Sequence, residues 1–457
     1  MSVLKRHFQF STDFVSDNKG KQELSLQWQP LQANFLVIGS PHEKRLLLYD
    51  RQNQQLKEIP IPSACSHLAW NRDGLLLAFV CPKDQTTPLY MWSPYSQKIT
   101  GQELDSWSSG KVTWLGWNPI ADILAVAFNS GNIILLDKAS DRRVVVREHH
   151  QGPVVDAAWS TDGVLASCSS VKDVSGDDKQ AVTSFIFFTS ASGEEAMTSR
   201  ECPYGKARRL RFAVSKFAPI GLRSQNTLSC IISNKTLLLF DLDDDSRSLH
   251  YTFKADYGNI VDYFWFGDGY ILICFQIGIL IWVSSHPDEQ GKELAHVNIS
   301  QNSIVHMAAS NDGARFGICS ENVVKVFQTE LGKMRHTEAS LSKDAGLRKL
   351  SWTSDGSLVA AIGANGQGFV FLAKIPDIGC AWRDRVAFMV ALDTFHVVEI
   401  RNSSEVLRTI LCEFEPNVVA LGPFNFAVAI NNLAVYYFAE QPGGKCVHLA
   451  RSSSSTT

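Results

Sequence analysis

The chain is 457 residues long, 45% hydrophobic and only 19% charged, against about 25% charged in an average globular domain. Its 43 basic and 46 acidic side chains leave a formal net charge of −3, so no global field draws it to nucleic acid or to an anionic membrane surface. The length exceeds one ordinary domain and the low charge argues against many solvated helix faces, which leaves a large sheet-rich core.

In chain order, the N-terminus MSVLKRHFQFSTDF lacks the long apolar stretch of a secretory signal and predicts a strand over residues 4–10. From there one unit recurs. Its anchor follows apolar positions and is often trailed, three and four residues on, by Asp-Gly: Trp28, Trp70, Trp117, Trp159, Phe212, Trp265, Ala309 and Trp352. The intervals are 42, 47, 42, 53, 53, 44 and 43 residues, the period of a four-stranded propeller blade with tolerated insertions. A second series tests this independently. The third-strand ends Tyr49, Trp92, Leu136, Phe188, Phe240, Trp282, Phe327 and Phe371 lie 21, 22, 19, 29, 28, 17, 18 and 19 residues after their anchors. Residues 257–278, YGNIVDYFWFGDGYILICFQIG, show the unit most plainly. An unbroken ILICF run has to be covered on both faces, because a half-solvated strand would alternate.

Stacking such small sheets radially gives every face a neighbour and leaves only short edges. The expected fold is therefore all-β, a seven-bladed WD40-type β-propeller over residues 1–341 followed by the opening blades of a second, incomplete propeller over 342–440. The strand at residues 4–10 is placed to pair with the seventh blade. The eighth unit is regular at 346–374, whereas 385–399, 406–414 and 418–438, with its Asn431-Asn432 turn, show strand patterning without an anchor. One eight-bladed ring with a trailing segment is the rival arrangement. Residues 441–457, ending RSSSSTT, read as a disordered tail by composition.

Few residues suggest chemistry. The ten cysteines include no CxxC pair and read as small core residues of a reducing compartment; the sequons at Asn234, Asn298 and Asn402 are then not glycosylated. The longest apolar run, residues 270–283, is too short for a membrane helix, which needs about 20 residues. The glycine-rich GANGQG at 363–368 sits between strands, so it reads as a hairpin turn on Asn365-Gly366 rather than a phosphate loop. His149 and His150 read as loop histidines, because neighbours on an extended chain diverge. Lys206, Arg208, Arg209 and Arg211, and Arg142, Arg143 and Arg147 beside Asp141, read as solvated edges that could also dock an acidic partner. Asp241 to Asp245 form an acidic turn without calcium-loop spacing. The polar insert at 170–181 is a possible contact loop. A propeller enzyme would need acids or bases converging from successive first strands, yet those approaches read as mostly Leu, Ala, Val and Ser. No catalytic, cofactor-binding or metal-binding residue and no cofactor is therefore expected, and a non-catalytic scaffold is preferred.

Four segments carry a family resemblance: Gly258-Asn259-Ile260-Val261 with Trp265 and Gly267-Asp268-Gly269; Leu350-Ser351-Trp352-Thr353 with Asp355-Gly356; Phe371-Leu372 with Lys374-Ile375-Pro376; and Glu415-Pro416-Asn417 with Asn431-Asn432. In order and spacing, residues 20–440 resemble the amino-terminal part of the family of intraflagellar transport protein 144, or WD repeat-containing protein 19. That resemblance implies a scaffold subunit of intraflagellar transport complex A, acting in retrograde ciliary transport and in entry of membrane cargo into cilia. It implies a location in the cytoplasm, cilium or flagellum and basal body. The implied partners are the other complex A subunits and ciliary membrane cargo adaptors, with no nucleic acid and no direct membrane insertion. Family members carry two propellers and a helical-repeat tail; this chain stops before the second ring closes, which reads as a fragment or short isoform. Related propellers of vesicle coats and ubiquitin-ligase substrate receptors share the architecture and are the alternative.

Overall fold

A computed structural model turns each repeat unit into one antiparallel meander whose strands pair in chain order. The structure describes residues 2–14, 24–82, 88–104, 110–147, 149–172, 182–202, 205–213, 227–244, 248–289, 291–299, 302–330, 335–412, 414–423, 425–430, 433–438 and 447–453. Residues 1–371 make one compact unit. Sheets spanning 25–60, 67–102, 112–146, 154–202, 207–252, 260–298, 306–340 and 347–372, the last ending one residue past that limit, are blades 1 to 8.

First strands form the hub. That of blade 1 lies against those of blades 2 and 8, and blades 2 to 5 and 6 to 8 continue the circuit in order. Blade 5 meets blade 6 where the Tyr263 hydroxyl donates to the Arg209 carbonyl at 2.7 Å. The circuit is closed, so the sheets form a ring.

The core lies in the seams between blades. Leu77–Val80, Ile123–Phe128 and Ile279–Ser284 are buried at every position, as expected for strands covered on both faces. One seam joins Ile231 and Leu237 of blade 5 to Trp265, Ile273 and Ile281 of blade 6. The next joins Phe264, Leu272 and Trp282 to Phe316 and Phe327. The third-strand ends Tyr49, Trp92, Phe188, Trp282, Phe327 and Phe371 are among the largest fully buried side chains. Outer strands such as Gln55–Pro60 and Ile99–Gln102 are mostly solvated.

The sheet pairing corrects where the ring closes. Blade 7 already has a fourth strand of its own, His336–Ser340, and gains only Ser2–Val3 as a short parallel fifth. Blade 8 has three strands of its own, Leu347–Trp352, Leu358–Gly363 and Gln367–Leu372, and its fourth is Lys5–Ser11. An unpaired sheet edge leaves a row of backbone donors and acceptors to be satisfied, and the edge left open is in the eighth unit. The ring therefore has eight blades rather than seven, and the division expected at residue 341 lies at 371.

The glycines of GANGQG serve this closure. Gly366 turns the hairpin at φ +76°, and its carbonyl accepts the Thr12 amide at 3.0 Å. A Cβ on Gly368 would stand 2.0 Å from the Phe10 ring.

Residues 372–457 form a second unit with two further sheets. One comprises Gly379–Trp382, Arg385–Ala391, Thr394–Glu399 and Asn402–Leu411; the other comprises Val418–Leu421, Asn425–Ile430, Leu433–Phe438 and Val447–Ser453. Phe395 and Phe426 pack the two together edge to face, with ring centroids 5.2 Å apart. The tail expected to be disordered over 441–457 instead supplies Val447–Ser453, which pairs with Leu433–Phe438. A polar composition does not prevent this, because a sheet edge is satisfied by backbone groups. The Asn431-Asn432 turn lies outside the described residues.

Candidate functional site

The anchors set the spacing of the hub. Each anchor tryptophan stands at or next to the end of the first strand of its blade, and several reach back to the preceding blade. The Trp117 indole donates to the Ala69 carbonyl at 3.0 Å, Trp159 to Gly116 at 3.1 Å and Trp352 to Ala308 at 2.9 Å, while Trp265 donates to the Ser229 hydroxyl at 2.8 Å. Trp70 occupies the equivalent seam between Val37, Leu48 and Phe79, without a partner for its ring nitrogen among the described residues. The residue after each anchor is polar and buried in most blades. Asn71 accepts the Leu75 and Leu76 amides, each at 3.0 Å. Gln29 donates to the Gly74 carbonyl of the next blade at 2.7 Å.

Three residues before the anchors stands a set that the sequence reading passed over: His67, Asp156, Arg209, Asp262, His306 and Lys349. The expectation of mostly Leu, Ala, Val and Ser fails at this offset, where a register shift interrupts several strands. The shifts fall between Val154 and Asp156, Arg208 and Arg211, Ile260 and Asp262, and Leu347 and Lys349. Such bulges re-aim a side chain and leave backbone groups unpaired.

Asp156 accepts the Leu210 amide of blade 5 at 2.9 Å and the Ala157 amide at 3.0 Å. Burial raises its pKa, while these two amides and Arg209 pull it the other way. Asp262 accepts the Tyr263 amide at 2.9 Å and pairs with the Arg211 guanidinium at 3.0 Å. His306 Nδ1 accepts the Leu350 amide of blade 8 at 3.4 Å; burial, then nearby Lys349, lowers its pKa to about 4. These groups tie each bulge to its neighbour, which is an architectural use of charge.

Two cavities open around the first strands of blades 4 to 8. One, of about 640 Å³, is walled by strand ends including Trp159, Phe212, Phe264 and Trp265, with Asp312 at its side. The other, of about 1010 Å³, is polar and lies where the first strands of blades 6 to 8 begin. Its rim is pinned by a repeated hydrogen bond from the start of one blade to the hairpin of the blade before: Ile260 to the Asn234 carbonyl, Ile304 to Gln276 and Leu347 to Glu321, each at 2.7 Å.

The other singled-out residues lie apart. His150 lies in the loop before blade 4, as expected, and is buried there: its ring nitrogens meet the Ser169 hydroxyl at 2.9 Å and the Ser167 hydroxyl at 2.8 Å, and burial then nearby His149 lowers its pKa to about 4. His149 stacks on Phe187 at 5.8 Å. Arg142 stands exposed on the outer strand Arg142–Val146 of blade 3. The Asp241 carboxylate caps its own turn through the Asp243 and Asp244 amides at 3.0 and 3.3 Å, and Asp245 lies outside the described residues. Most of the insert at 170–181 also lies outside them; Ser170–Lys172 only extend the strand Leu165–Lys172. The nine described cysteines are free, and among the described residues no group of three or more His, Cys, Asp or Glu is placed to hold a metal ion. No described helix is long and apolar enough to cross a membrane.

Comparison with known proteins agrees with this geometry. Residues 24–366 match the family model of the WDR19 first beta-propeller, a span that ends just before the third strand of blade 8. The chain is 28% identical over 418 residues to mouse WD repeat-containing protein 19, covering 91% of this chain and 30% of that protein. It is 26% identical over 430 residues to WD repeat-containing protein dyf-2 of Caenorhabditis elegans, covering 93% and 29%. The chain thus spans under a third of these relatives. Among solved structures, the C-terminal WD40 domain of Sif2 superposes with a TM-score of 0.60 at 17% identity, covering 82% of this chain and 99% of that one. Saccharomyces cerevisiae Sqt1 gives 0.58 at 12%, covering 82% and 100%. At these identities the likeness shows the propeller fold alone.

Proposed function

Because the chain belongs to the family of the WDR19 first beta-propeller, we propose that it is a non-catalytic docking subunit of intraflagellar transport complex A. It would serve retrograde ciliary transport and entry of membrane cargo into cilia, working in the cytoplasm, the cilium and its basal body. The carrying observation is the family match, which runs across blades 1 to 7 and the first two strands of blade 8. The geometry supports it: Asp156, Asp262 and His306 at the hub are used in joining blades, and what the ring offers a partner is concave surface. Docking surfaces of this kind act through a few buried anchors rather than through a reaction. The partners would be the other complex A subunits and adaptors for ciliary membrane cargo.

Affinity capture from ciliated-cell extract tests the assignment. Co-purification of other transport-complex subunits is expected. Recovery of only coatomer or ubiquitin-ligase components would overturn it, because those assemblies use the same architecture for other partners.

A further inference from the structure

We infer that the polar mouth at the start of blades 6 to 8 binds an acidic peptide segment, read by Arg208, Lys343 and Arg348. The inference rests on the docking role proposed above and gives it a partner chemistry. Among the described residues, the cavity of about 1010 Å³ is lined by those three cations against one carboxylate, Glu321. Most of the remaining wall is amide and hydroxyl, including Asn234, Gln276 and Asn322, groups suited to the donors and acceptors of a peptide backbone.

Arg208 supplies the sharpest observation. It sits at the bulge of the blade 5 first strand, and its Nε is buried with no hydrogen-bond partner among the described residues. A buried donor left unmade is costly. A carboxylate satisfies a guanidinium through two parallel N–H donors. Lys343 and Arg348 line the same mouth from the blade 8 side and are exposed, placed to hold a second acidic side chain. The site is also preorganised, since its rim is fixed by the three 2.7 Å bonds from blade starts to hairpin carbonyls. Little ordering cost would then fall on the protein when a peptide enters.

Other anionic partners fit less well. Among the described residues no aromatic side chain lines this mouth, whereas single-stranded nucleic acid is held by base stacking on aromatics. A flat bilayer cannot follow a recessed wall, and the formal net charge of −3 gives no attraction at a distance. The opposite cavity has aromatic walls, and its charged lining is Asp312 with Arg211, the latter already paired to Asp262, so an acidic segment should discriminate between the two.

The test measures fluorescence anisotropy of the purified chain with a labelled deca-glutamate peptide and its deca-glutamine counterpart. The glutamate peptide should bind at least about tenfold tighter, with affinity falling as salt rises. Arg208→Gln should weaken it about tenfold, and Arg348→Gln and Lys343→Gln several-fold each, with unchanged melting temperatures. Lys98→Gln, an exposed change on blade 2, should leave binding as it was. Because Arg348 and Lys343 are exposed, those variants report even if Arg208→Gln fails to fold. Equal binding of the two peptides, or indifference to all three substitutions, overturns the inference. So does stronger binding to phosphatidylserine vesicles or to oligo-dT with the same residue dependence. Capture of transport subunits without glutamate binding removes the inference and leaves the transport role. Glutamate binding through these residues without such capture does the reverse.

Discussion

At the scale of single residues, buried histidines make stability depend on pH. His150 and His306 each have a folded pKa near 4, against an ordinary 6.5, because burial disfavours the imidazolium. The unfolded chain therefore binds more protons between pH 6.5 and 4, and stability falls as pH falls through that window. Each histidine should contribute a loss on the order of 2–3 kcal/mol. His150→Gln should flatten the curve of melting temperature against pH over that range; an unchanged slope would show that its ring is solvated. The Trp265 anchor tests the seams. Trp265→Phe should cost about 1–2 kcal/mol, the value of the bond to Ser229, and Trp265→Ala roughly 3–5 kcal/mol in denaturant unfolding. Gly74 occupies φ +69°, where an added Cβ would meet the Pro30 carbonyl at 2.8 Å. Gly74→Ala should therefore cost at least about 1–2 kcal/mol from the backbone alone.

At the scale of elements, the strand Lys5–Ser11 holds the ring shut. Phe8 stacks on Tyr49 with ring centroids 4.6 Å apart, and Phe10 is buried over Gly368, so the strand joins blade 8 to blade 1 through side chains as well as through its ladder. Phe10→Ala should cost about 3–5 kcal/mol. Deleting residues 2–11 should lower the melting temperature further, and a synthetic peptide of that segment should restore it in trans; failure of the peptide to act would mean the strand is dispensable. The blades were legible in sequence because an anchor ring and an Asp-Gly turn leave marks at fixed offsets. The closing blade was not, because an outer strand is mostly solvated and its place is decided by which edge lacks backbone partners, which side-chain patterning does not encode. The hub charges Asp156, Asp262 and His306 escaped for a related reason. Bulges break the two-residue alternation on which strand reading depends, so these groups register only when one offset from the anchor is followed from blade to blade.

At the scale of the whole molecule, an eight-bladed ring predicts where the chain can be cut. Its circuit needs the first strand of blade 8 in contact with that of blade 1 and with that of blade 7. Trp352 carries the second seam through its bond to the Ala308 carbonyl at 2.9 Å. The first is crossed by the Ser354 hydroxyl, which donates to the Leu31 carbonyl at 3.1 Å. A chain ending at residue 376 retains all of these and should unfold in one cooperative transition, as a closed ring does. A chain ending at 341 leaves Trp28 without its neighbouring blade and strands Lys5–Ser11 without the edge it pairs with. Two open blade faces of apolar residues then meet water, at about 25 cal/mol for each Å² exposed. Such a chain should aggregate or lose its near-ultraviolet dichroism while keeping strand content. Size-exclusion chromatography and calorimetry on the two truncations decide between the geometries. A monodisperse, cooperatively folding 1–341 would return the ring to seven blades, with the N-terminal strand free to close on the seventh, and would leave the eighth sheet to begin the second unit.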